Sequence, residues 1–88
     1  MKITNLELNF LEALAKKVNG STIFTNQINP DNLNKIQKSG VVSSLVQKNI
    51  LAIDNESQMI GIIPVNGTSW DAEWELTKKD IQELLERF

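Results

Sequence analysis

The chain has 88 residues, nine Lys and Arg against eleven Asp and Glu, a formal net charge of -2, and no His, Cys or Tyr. The length fits one domain, residues 1–88, with one modest core. Without Cys or His there is no disulfide framework, thiolate nucleophile or imidazole, so an enzyme, a bound metal and a cofactor are not expected. No apolar run approaches the ~20 residues of a membrane span. Glu7 and Asn9 interrupt the stretch where a secretory leader would be continuously apolar, so the expected location is cytoplasmic.

The charge is unevenly spread. Residues 1–53 hold six Lys against three acids, or +3; residues 54–88 hold three bases against eight acids, or -5. Such asymmetry is expected of a basic binding half joined to an acidic remainder.

Thr4 and Glu7 have capping-box spacing, and Leu6, Phe10, Leu14 and Val18 recur four apart with Leu11 beside them. This predicts a helix over residues 5–18, ended by Asn19-Gly20 with Gly as a left-handed cap. Residues 21–24 are short and β-branched. Residues 25–35 are Asn-rich, and Pro30 fits the first turn of a short helix or a pair of broken turns. Residues 36–48 read as an amphipathic helix. Val41, Val42, Leu45 and Val46 form its apolar arc, opposite a low, polar and nearly uncharged face.

Asn49 reads as the cap of that helix. Residues 50–53 and 59–65 then read as two strands joined by the polar turn 54–58. Asn66-Gly67 is a turn signal, and residues 70–76 read as a third strand with Trp70, Trp74 and Leu76 on one face. Both Trp are expected to cover the sheet and the last helix. Thr77 caps that helix with Asp80 three residues on, and Ile81, Leu84, Leu85 and Phe88 make its stripe. The stripe is expected either to pack on the first helix or to form a homodimer through residues 77–88.

The segment SGVVSSLVQKNILAID, residues 39–54, resembles MarR-like and phage-type winged-helix regulators, in which a helix ending in a SLVKKG run leads into the first wing strand. Trp74-Glu75-Leu76-Thr77 is similar to the step from the last wing strand to a C-terminal helix. The resemblance spans roughly residues 5–80, with its specific part in about twenty. It implies an α+β winged helix-turn-helix fold: three helices, a β-hairpin wing and a C-terminal helix. Asn49 stands where such chains usually have Gly, residues 25–35 are irregular where a second helix is expected, and the wing turn carries Asp54 and Glu56 instead of Arg or Lys.

The function implied is binding of double-stranded DNA by a transcriptional regulator, with the helix at 36–48 in the major groove. Gln37, Ser43, Ser44, Gln47 and Lys48 would then read bases, and Asn26, Gln27, Asn34 and Lys35 would hold phosphates. Lys16, Lys17, Lys38 and Lys48 would supply charge, with Lys38 directed toward the apolar arc. The one Arg, Arg87, lies outside that helix. The alternative is a winged-helix protein-binding module without DNA binding. Its acidic half, through Trp70, Asp71, Glu73, Glu75 and Glu83, would dock on a basic protein, as small phage-encoded inhibitors do.

Overall fold

The computed structural model describes residues 2–88. Its element order is α1 (Asn5–Lys17), a 3-10 turn (Thr25–Gln27), α2 (Lys35–Gln47), β1 (Leu51–Ile53), β2 (Ile60–Ile62), a second 3-10 turn (Ser69–Asp71) and α3 (Lys78–Leu85). The class is α+β, and the radius of gyration of 11.6 Å matches one small core.

Each helix begins where a side chain accepts an otherwise orphaned amide. Thr4 accepts from the Glu7 N–H, Asn34 from the Gln37 N–H and Thr77 from the Asp80 N–H. The ends differ from expectation. Helix α1 closes on Val18 in an extended conformation, and Gly20, with φ of 89°, hands its N–H to the Leu76 carbonyl. Helix α2 closes on Lys48, and Asn49 takes the left-handed conformation (φ 61°) needed to turn into β1. Asn is among the few non-Gly residues that adopt it readily, and the Asn49 amide also donates to the Gly67 carbonyl at 2.8 Å. Asn at this position therefore meets the backbone requirement of the turn into β1.

Among the described residues there are three α-helices, not four. Residues 25–34 supply only the turn Thr25–Gln27 and a second turn closed by the Leu33 N–H on the Pro30 carbonyl. The Asn-rich composition explains this, because Asn side chains offer the backbone turn-type partners. Asn29 does so here, donating to the Asn26 carbonyl.

Strands β1 and β2 pair antiparallel with Leu51 opposite Ile62, Ala52 opposite Gly61 and Ile53 opposite Ile60. They are shorter than the apolar runs that predict them, since Pro64 offers no N–H to prolong the ladder. The expected third strand is a single bridge, Glu73 to Ile62. With the contacts of Ile23 and Thr25 to Ile60 and Gln58, it covers the far edge of β2. Because Ser69–Asp71 coils as a 3-10 turn, period-two alternation fails at Trp70. Trp74 lies over Gly61, whereas Trp70 is 94% exposed and covers nothing.

The core gathers Phe10, Leu11 and Leu14 of α1, Val41 and Leu45 of α2, Leu51, Ile60 and Ile62 of the hairpin, and Ile81 and Leu84 of α3. The last stripe is thus spent on α1 within the chain, leaving Phe88 41% exposed at its end.

A Cβ at Gly61 would stand 2.9 Å from Trp74 Cε3 and 3.0 Å from Cδ2. Gly61→Ala is expected to lower stability by about 1–3 kcal/mol, as overpacking does. Urea unfolding followed by Trp emission checks this; an unchanged midpoint would remove Trp74 from the hairpin face.

Candidate nucleic-acid interface

The residues predicted to touch DNA separate into three groups. Ser44 and Lys48 lie on the side of α2 that faces α1, where they meet Glu7. That carboxylate is buried, with 2% of its surface exposed. Lys48 Nζ donates to Glu7 Oε1 at 2.6 Å, Ser44 Oγ donates to Oε2 at 2.7 Å, and the Thr4 N–H donates to Oε1 at 2.7 Å. Lys48 Nζ also reaches the Lys2 carbonyl at 3.2 Å. Both side chains are engaged within the fold, where they tie α2 to α1.

A second group consists of caps and turns. The Asn34 side chain caps α2, and Gln37 Oε1 accepts the Asn34 N–H at 3.0 Å. Gln27 Oε1 accepts the Phe24 N–H at 2.8 Å and closes the 3-10 turn. Their polar atoms shape the local backbone.

The third group, Asn26, Lys35, Ser43 and Gln47, lines one groove of about 640 Å³ between α2, the turn Thr25–Gln27 and the hairpin turn. Thr25, Lys38, Ser39, Asn55 and Gln58 complete its polar lining over Val42, Val46 and Ile53. Lys38 is half-buried and directed inward, as its position on the helix wheel requires. Its ammonium donates to the Thr25 carbonyl at 3.0 Å and to Asn29 Oδ1 at 3.1 Å, which fixes the wall opposite α2.

The acidic hairpin turn presents amides to the groove. Asp54 turns onto its own loop, accepting from the Glu56 N–H at 2.9 Å and the Ser57 N–H at 3.4 Å. Gln58, with φ of 64°, donates its Nε2 to the Asn55 carbonyl and sits beside Thr25. Sequence reasoning missed Asn55 and Gln58 because net turn charge does not tell which side chains fold back. The signal was Asp54 at the first position of a turn, where Asp caps following amides. None of the chain's eleven carboxylates lines this groove.

The acidic residues at the other end do not form a comparable recess. Asp71 is tied to Thr68, accepting its N–H at 2.9 Å. Glu73, Glu75 and Glu83 are exposed. Among the described residues no group of His, Cys, Asp or Glu is placed to hold a metal ion, and no helix is long and apolar enough to cross a membrane. No family model matches the chain, and no curated protein or solved structure matches it either.

Burial by itself would push the Glu7 carboxyl up. The Lys48 ammonium, helped by Thr4 and Ser44, outweighs it and holds the group at about 2 instead of 4.5. A carboxylate lowered on folding stabilises the native state above its unfolded value. That contribution, at most about 3 kcal/mol, is lost as pH falls from 4.5 toward 2. Glu7→Gln keeps the cap but removes the charge. It is expected to lower stability at neutral pH by about 2 kcal/mol, the scale of a hydrogen bond to a charged group, and to flatten the acid limb. Denaturant melts across that range check it; a wild-type acid limb in the variant would show that Glu7 is not the group titrating.

Proposed function

We propose that this chain is a winged-helix DNA-binding domain that presents α2 to the major groove and receives one phosphate strand in the recess between α2 and the hairpin turn. The observation that carries the reading is the composition of that recess. Two Lys, four side-chain amides and three hydroxyls line it, with no carboxylate, in a chain whose net charge is -2. A cation and neutral donors suit phosphate and base edges, and a carboxylate there would repel the duplex. The order of elements supports it as well: α2 runs through one left-handed residue straight into the hairpin.

Lys35 is the exposed cation of the recess, since Lys38 is engaged with Thr25 and Asn29. With Lys35 as the free cation of the recess, binding is weak and its logarithm falls against log salt with a slope of about -1. Ser43→Glu brings a negative charge onto the exposed face of α2. It is expected to weaken retention of a labelled mixed-sequence duplex at least tenfold at about 50 mM salt. Lys48→Ala, by contrast, acts through Glu7 and lowers the melting temperature. Equal retention by wild type and Ser43→Glu in fluorescence anisotropy would sink the reading.

One observation favours a second reading, a protein-binding surface for a basic partner. Trp70 is 94% exposed beside Asp71, and a Trp so placed is a common interface anchor. Under that reading no duplex is retained even at low salt, and Trp70→Ala abolishes binding of the partner.

A further inference from the structure

Taking the DNA-binding reading as its premise, we infer that α2 prefers A·T over G·C base pairs, with Gln47 reading adenine and Ile36 packing on the thymine methyl. At 100° per residue, Ile36, Gly40, Ser43 and Gln47 fall within about 60° of one another, opposite the buried Val41 and Leu45. They form the outermost ridge. Eleven residues of rise make it about 16 Å long, which matches roughly five base pairs at 3.4 Å each.

The centre of this ridge is low. A Cβ added at Gly40 would meet nothing within 4 Å, and Ser43 is the only side chain between the two ends. The helix can therefore approach a groove floor closely, so that contacts at its ends reach base edges.

Those ends are an apolar side chain and an amide. Ile36 is 84% exposed, so its side chain is open to a partner. Gln47 is exposed at the other end. Glutamine pairs bidentately with adenine N6 and N7, and an apolar side chain fits the thymine C5-methyl. Gln37 cannot substitute for Gln47, because its Oε1 already accepts the Asn34 N–H.

Guanine is read best by Arg or Lys at O6 and N7. No Arg lies on α2, and its terminal Lys48 and central Lys38 are both engaged inside the fold. Lys35 lies off the ridge, on the recess side. The internal use of Lys38 and Lys48 thus removes the cations that the sequence offers for guanine.

The test compares labelled duplexes of mixed-step A·T and of G·C sequence at low salt, by anisotropy. The expected result is a preference for A·T of at least about tenfold, the discrimination one bidentate pair gives. Gln47→Arg should reverse the order. Replacing thymine by uracil, which removes only the methyl, should weaken wild-type binding and leave Ile36→Ala unaffected. Equal affinity for the two duplexes, or a preference unchanged in Gln47→Arg, overturns this inference and leaves DNA binding standing. Failure to retain either duplex overturns both.

Discussion

The buried carboxylate of Glu7 constrains the rest of the molecule. A charge taken out of water is tolerated only when its oxygens are fully partnered. Here the partners come from two elements: Thr4 at the start of α1, and Ser44 and Lys48 on α2. Satisfying Glu7 therefore fixes how α2 is rolled about its own axis against α1. No other roll brings both Ser44 and Lys48, four residues apart on one side of the helix, to the same carboxylate.

That roll is not dictated by hydrophobicity. The apolar residues of α2 are distributed around it: Val41 and Leu45 are buried, Val42 is half-buried, and Ile36 and Val46 are exposed. Val42 and Val46 sit on the flank of the arc that Val41 and Leu45 bury, facing the recess. The Glu7 network selects one arrangement, and from it follow the outward ridge and the recess beside the hairpin. A polar cluster serving specificity of packing in this way has precedent in buried polar residues that set helix register.

Much of the frame was legible in the sequence because it rests on local signals. The capping pairs at Thr4 and Thr77 and the stripes of α1 and α3 appear where spacing puts them, except that Leu6 at the head of the α1 stripe is exposed. The candidate site was less legible. Asn26, Lys35, Ser43 and Gln47 come together, but Ser44 and Lys48 looked equally polar and exposed in a helical projection. Only the long-range approach of α1 shows that they face inward, and spacing alone gives Glu7 a purely local role as the reciprocal member of a cap. It performs that role as well, since one carboxylate has lone pairs for both. At the acidic end, strand periodicity puts Trp70 and Trp74 on a common face. A 3-10 turn has a different period, and the two rings part company there.

The orientation of α2 depends on Glu7 being ionised and paired inside the folded protein. The most direct test is the titration of that one carboxyl, followed by carbon-detected NMR on glutamate-labelled protein. A midpoint near 2, with Lys48→Ala moving it upward, is the predicted result. A midpoint at the ordinary value of 4.5 in the folded wild type would mean that Lys48 does not hold Glu7. The orientation of α2, and with it the recess, would then lose its cause.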